Sequence, residues 1–268
     1  MLTDAHCHPF DLAQVFPGAE EERRRLSVLC AASATDRKEF EFNEGLAHKA
    51  KDENAAGVLP CFAIHPQMSG SREWGVGSGE WELLEKWAKQ GRLSAVGETG
   101  FDLYDEKFKA TEKIQDELFA IHLEVALRYN LPLVLHVRRA MHKVFAMERQ
   151  LKKCKAVVFH SWPGTLQEGD ALLKRGINAF FSFGTIILLN HHEAMRCCAA
   201  FPAERLLLET DAPYQPLKRE PRRPYSTWSD LPLILESAAA LRREAGAAGS
   251  EPVELEELVA ANFKAAYG

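Results

Sequence analysis

His6-Cys7-His8 is the first arrangement along the chain that can do chemistry. Side chains of an extended strand alternate between its faces, so the two imidazoles share one side while Cys7 takes the other. Two such nitrogens can grip one cation. The spacing alone is weak evidence, since ten histidines in 268 residues can produce it by chance. Four more residues of ligand type follow short apolar runs: Glu98, His136, His160 and Asp211. Each has an ordinary reading. A histidine at a strand end is usually a hydrogen-bonded structural residue, Glu98 could cap a turn, and Asp211 could open the turn before Pro213. Their coincidence at one end of successive strands points to a metal centre. Carboxylates and imidazoles converging there can hold a second cation about 3.5–4 Å from the first, bridged by a carboxylate.

Convergence requires a particular scaffold. Eight short β-branched or apolar runs recur, at 2–6, 27–31, 57–64, 93–98, 131–136, 156–160, 177–183 and 205–209. Between the fourth and fifth, Ile114, Leu118, Ile121 and Val125 are spaced to form one apolar stripe on a helix. Segments 80–90, 142–152, 166–175 and 232–244 show similar helical patterns. Several strands are apolar throughout, as in a parallel sheet covered on both faces. Eight such units predict an α/β fold, a TIM-type (β/α)8 barrel forming a single domain over 1–268. A doubly wound open sheet would usually carry a Gly-rich loop after its first strand, and none is present. In a parallel barrel the C-terminal strand ends meet on one face, where active sites are built. His6 and His8 straddle the end of the first strand. Glu98, His136 and His160 end the fourth, fifth and sixth, and Asp211 lies just past the eighth. The Gly/Ser-rich loop at 68–79 and the basic run at 218–223 read as excursions from this frame.

Composition narrows the function. The 33 Lys and Arg against 38 Asp and Glu give a net charge of −5, which argues against coating nucleic acid by bulk charge. It leaves room for an enzyme that holds a few phosphates in one pocket. Hydrophobic residues at 46% supply a core and exclude global disorder. No apolar run approaches the roughly 18 residues of a membrane span, and no signal peptide is evident. None of the six cysteines forms a C-x-x-C pair, which suggests a reducing, cytoplasmic compartment. The oligomeric state stays open, a monomer included.

Several blocks carry a family resemblance. His6-Cys7-His8, Ile64-His65-Pro66 and Val96-Gly97-Glu98-Thr99-Gly100-Phe101-Asp102 resemble signature blocks of the TatD family of metal-dependent DNases. So do the helix 115–126, Leu131-Pro132-Leu133 through His136-Val137-Arg138, and Leu207-Leu208-Glu209-Thr210-Asp211-Ala212-Pro213-Tyr214. The ending Asn262-Phe263-Lys264-Ala265-Ala266-Tyr267-Gly268 completes a match along nearly the whole chain. The resemblance implies one metal on His6, His8, Glu98 and Asp211, and a second on Glu98, His136 and His160, with Glu98 bridging. The mixed nitrogen and oxygen donors suit Zn, Mn, Ni, Fe or Co, and the family's usual cation is Mg. Hydrolysis is the implied chemistry, with catalytic roles for Glu98 and for Asp211 as ligand and acceptor of the water's proton.

The resemblance further implies that His65 lies near a substrate phosphate. Arg138, two residues past His136, can clamp phosphate. Trp162 and Tyr214 can stack a base. Glu209 points the same way as Asp211, toward metal or substrate or into packing deep in the barrel. The chain departs from the family at His160-Ser161-Trp162-Pro163-Gly164 and at Glu220-Pro221-Arg222-Arg223-Pro224, both on the substrate side. The expectation is therefore a two-metal deoxyribonuclease acting on single strands or ends of DNA or a nucleotide-like phosphoester. One alternative is an amidohydrolase-type enzyme cleaving a small amide, ester or phosphoester. Another is a non-catalytic metal-binding adaptor, against which the retention of every ligand argues.

Overall fold

The computed structural model describes residues 1–70, 80–217 and 223–268. Eight strands follow one another with helices between them: β1 (Thr3–Cys7), β2 (Leu29–Ala32), β3 (Val58–Phe62), β4 (Ala95–Asp102), β5 (Leu133–Arg138), β6 (Val157–Phe159), β7 (Ala179–Phe183) and β8 (Leu206–Leu208). All neighbours pair in parallel and in sequence order, giving the TIM-type barrel. The β8–β1 seam is joined past the ladder. Asp211 N donates to His6 O at 3.0 Å, and His8 N donates to Ala212 O at 2.7 Å. Below them the buried Asp4 carboxylate accepts from Thr210 N and Oγ1 at 2.9 and 2.6 Å. Ordering the ends of β1 and β8 is thus the same act as closing the barrel.

Each strand contributes one residue to an inner apolar cluster: Ala5, Ala31, Cys61, Ala95, Val134, Val158, Phe180 and Leu207. Phe263 and Tyr267 of the C-terminal helix (Pro252–Tyr267) join this cluster, and Tyr267 Oη donates to Ala5 O at 2.7 Å. One end of the barrel is therefore filled, and the polar residues gather beyond it. Strict alternation fails where it matters. The register slips between Asp4 and Cys7 of β1 and between Val96 and Thr99 of β4, so His6 and Glu98 both sit on irregular backbone. Such bulges re-aim a side chain.

Strand β4 also runs past the sequence expectation, to Asp102, which leaves Glu98 inside the strand. Two glycines allow its close approach to β5. A Cβ on Gly97 would lie 2.4 Å from Val134 Cβ, and one on Gly100, at φ +134°, 2.1 Å from His136 O. Glycine lets two backbones approach where any side chain would collide.

The helix expected around Ile114 spans Glu112–Arg128, with a rotated buried face. Leu118 and Val125 are buried as predicted. Ile114 and Ile121 are only half-buried, and Gln115 and His122 occupy the inner face. Those two polar groups are there because β4 has partners for them. Gln115 Oε1 accepts from Asp102 N at 2.8 Å, and His122 Nδ1 lies 2.5 Å from Thr99 Oγ1. The predicted helix at 142–152 is two short ones, Met141–Ala146 and Glu148–Leu151. No helix among the described residues is long and apolar enough to cross a membrane. All six cysteines are buried and unpaired.

Candidate metal centre

The six expected ligands meet at one end of the barrel. His6 Nε2 lies 3.1 Å from His8 Nε2, and both lie 3.6 Å from Asp211 Oδ1. Glu98 stands between this group and a second one. Its Oε2 is 3.0 Å from His6 Nε2 and 3.6 Å from His8 Nε2. Its Oε1 is 2.7 Å from His136 Nδ1, 3.2 Å from His65 Nε2 and 3.6 Å from His160 Nε2. The two oxygens of one buried carboxylate thus face two sets of imidazoles.

Three groups have donor atoms close enough to share a cation: His6, His8 and Asp211; His6, Glu98 and His160; and His65, Glu98 and His136. This grouping differs from the one the resemblance implied. His160 packs against His6, with ring centroids 4.0 Å apart, and His65 takes the place beside His136. His65 is thus among the candidate ligands as well as beside any substrate.

The donor chemistry fits a divalent cation. Glu98 is 3% exposed, and no Lys or Arg among the described residues pairs with it. Burial by itself would raise its carboxyl, but His65, His160, His6 and His136 outweigh that and hold it well below the usual range. Burial likewise opposes the charged form of His160, yet Glu209, Glu98 and Asp211 push it up to about 10. Burial, reinforced by His160, lowers His6 instead. Negative charge concentrated on buried carboxylates, with lone pairs of neighbouring imidazoles aimed together, is a field that a metal ion neutralises better than protons do.

Behind the imidazoles lies a set of orienting partners, as metal-binding histidines require. Asp102 Oδ2 lies 3.2 Å from His136 Nε2 and accepts from Gln67 Nε2 at 2.7 Å. Burial would raise Asp102, but these two hydrogen bonds take it down to about 2. Ser33 Oγ is 3.2 Å from His6 Nδ1. Glu209 Oε1 lies 2.9 Å from His160 Nδ1 and accepts from Ser161 N at 2.8 Å.

Wholly buried behind its histidine, Glu209 is no open contact for substrate. Trp162 needs a similar correction. It is 2% exposed and packed among Phe159, Phe181 and Phe201, so it offers no open platform for a base. Tyr214 is half exposed, lies edge-on to His8 and donates to Asp11 Oδ2 at 2.9 Å.

Arg138 is exposed at the rim. Its Cζ lies 3.6 Å from the centre of the Tyr104 ring, with the Arg139 guanidinium 4.5 Å from the same ring. Of the basic run, Arg223 pairs with Asp230 and donates to Thr227 Oγ1 at 2.5 Å, so it turns inward from any groove. The remainder, 218–222, and loop positions 71–79 fall outside the described residues. A cavity of about 370 Å³ opens over His8, His65, Glu98, His136, His160 and Asp211. A second, of about 480 Å³, shares His136, His160 and Asp211 with it and reaches Arg138 and Gln215.

Residues 3–268 match the family described as TatD related DNase. The chain belongs to this family. Among TatD relatives, the metal-dependent hydrolase YjjV of Escherichia coli K12, itself uncharacterized, is 29% identical over 90% of both chains. A protein of Pantoea ananatis named 3'-5' ssDNA/RNA exonuclease TatD is 35% identical over 68% of this chain and 69% of its own. The crystal structure of E. coli YjjV, a TatD homolog, superposes with a TM-score of 0.81 at 25% identity, covering 99% of this chain and 97% of that one.

Sequence reasoning missed the orienting TatD residues Asp102, Gln67 and Ser33. Asp102 had one local signal. It is an acidic residue four positions past Glu98, just beyond the run expected as a strand, and between the apolar Phe101 and Leu103 a charge needs a partner. Gln67 and Ser33 had none, because loop geometry brings them in.

Proposed function

We propose that this protein is a two-metal deoxyribonuclease that removes nucleotides from an end of single-stranded DNA. The carrying observation is Glu98, whose Oε2 faces His6 and His8 while Oε1 faces His136, His65 and His160. A carboxylate so placed is built to bridge. His6, His8 and Asp211 would hold one ion, and His136 with His65 or His160 the other. Bound there, divalent cations make water a nucleophile near neutral pH and polarise the phosphoryl group. Any of the metals named for this donor set is compatible with the reading.

The chain's own groups supply the rest. Asp211, 7% exposed, accepts the water's proton. Its φ of +52° places it in the left-handed region, where a non-glycine residue is strained and must be held. The bond from its N–H to His6 O at the barrel seam does this. Arg138 meets a phosphate at the rim, its guanidinium laid on Tyr104 and joined to no carboxylate among the described residues. The relatives named as exonucleases support both the choice of nucleic acid and attack at an end. The −5 body then limits the grip to a few nucleotides.

The test is metal analysis of purified protein followed by cleavage of end-labelled single-stranded DNA with each divalent cation. Release of mononucleotides that falls ~10³-fold in Glu98→Ala, together with loss of bound metal, is expected. Unchanged cleavage in that variant would assign the activity to a contaminant and sink the proposal. Turnover of a small amide or phosphoester without DNA cleavage would replace it with the amidohydrolase reading.

A further inference from the structure

Asp211 has two oxygens in different surroundings. Oδ1 faces His6 Nε2 and His8 Nε2 at 3.6 Å each, while Oδ2 lies 3.9 Å from His160 Nε2. Among the described residues the closest side-chain donor to Asp211 is Gln215 Nε2, 2.9 Å from Oδ2. That same nitrogen lies 3.1 Å from Ser161 Oγ. A primary amide has two N–H groups, and these two oxygens take both. The backbone of Gln215 is held as well. Its carbonyl accepts from Thr185 Oγ1 at 2.7 Å, with Thr185 wholly buried, and its φ is +57°. A left-handed glutamine costs energy unless its surroundings fix it. Here the loops after β6, β7 and β8 converge to present one amide to one carboxylate oxygen.

We propose that Gln215 is a positioning residue that keeps the two oxygens of Asp211 in separate roles. Oδ1 is left for the cation beside His6 and His8, and Oδ2, held by the amide, is kept off that cation and available to the proton of the water. This rests on the reading of Asp211 as proton acceptor. Glutamine suits the task because its amide is neutral. A lysine or arginine there would hold the carboxylate equally well but would neutralise its charge and weaken it as a base. Without the amide, nothing else described within hydrogen-bond reach of Oδ2 stops the carboxylate from turning both oxygens onto one ion.

Gln215→Met, similar in length and without a donor, tests this beside Thr185→Val, which keeps the amide but removes the bond that holds its backbone. Two readouts are taken: steady-state cleavage of single-stranded DNA, and the visible spectrum of the Co²⁺-loaded protein. In Gln215→Met, kcat should fall ~10- to 100-fold with KM held within about twofold. The Co²⁺ bands should weaken as Asp211 adds a second oxygen, since their intensity drops with rising coordination number. Thr185→Val should show the same two changes to a smaller extent, because the amide remains but the backbone that presents it is no longer held. The proposal is overturned by an unchanged kcat in Gln215→Met, by a Co²⁺ spectrum identical to that of the parent, or by Thr185→Val exceeding Gln215→Met in both effects. Asp211→Asn separates the two levels. If it cleaves at the parental rate, the proton-acceptor reading fails and takes this proposal with it. If it is inactive while Gln215→Met is unaffected, only the role of Gln215 falls. Should the parent not cleave DNA at all, the Co²⁺ spectra alone decide.

Discussion

The two sides of the candidate metal centre are held by different means. On the β4–β5 side, His136 sits in a regular strand, and its far nitrogen faces Asp102, a wholly buried carboxylate braced by Gln67. Two glycines bring β4 against β5, so the ladder itself sets the spacing of Glu98 and His136. On the β8–β1 side the ligands lie at or past strand ends. Among the described residues His6 has the Ser33 hydroxyl behind it, and Asp211 stands in a left-handed conformation held by the seam. One side is organised by charge buried behind the ligand, the other by backbone drawn into place when the barrel closes. Catalysis needs both kinds. A cation wants rigid donors, whereas a proton acceptor must keep one oxygen free of it, and loop residues such as Gln215 can arrange that.

If this contrast is right, the orienting groups should differ in weight. Asp102→Asn should lower metal affinity or activity ~10- to 100-fold, and Ser33→Ala should do much less. Isothermal titration with Mn²⁺ measures both, and equal losses would break the comparison. At the seam, Thr210→Val removes the hydroxyl that meets Asp4 Oδ2 at 2.6 Å and leaves a buried carboxylate short of a partner. Burial, only partly countered by these Thr210 bonds, already raises Asp4 to about 7. The substitution should cost about 1–3 kcal/mol in urea unfolding. A smaller value would mean that the backbone bonds alone close the barrel.

The smallest effect expected concerns His122, which braces β4 from behind. Burial lowers it to about 3 from 6.5. Because the folded protein then binds fewer protons than the unfolded chain between these values, stability is full above pH 6.5 and declines as pH falls through that window. Its share between pH 7 and pH 6 is about 0.7 kcal/mol. His122→Gln should remove that share, seen as a smaller drop in urea midpoint over this interval. An unchanged drop would show that His122 keeps no such low pKa.

Much of this was legible beforehand because it is local. Eight apolar runs and the helices between them follow from side-chain periodicity, and the ligand-type residues other than Glu98, which lies inside β4, could be placed near strand ends from their neighbours alone. Errors arose where neighbours mislead. Trp162 follows a ligand in sequence but turns into an aromatic cluster, because Phe159 and Phe181 come from adjacent strands. Ile114 and Ile121 gave way to Gln115 and His122 because β4 offered hydrogen bonds that a helical wheel cannot anticipate.

Residue types and their periods were enough to determine an eight-stranded α/β barrel with histidines and carboxylates converging at one end. The tertiary structure decided how those donors divide: Glu98 facing both ways, His65 beside His136, His160 leaning on His6 and backed by Glu209, and Gln215 on Asp211. The reason is that strand periodicity specifies a face only while the strand stays regular. Here the register slips beside His6 and Glu98, and left-handed turns place Asp211 and Gln215. At those points the direction of a side chain is set by contacts between distant segments.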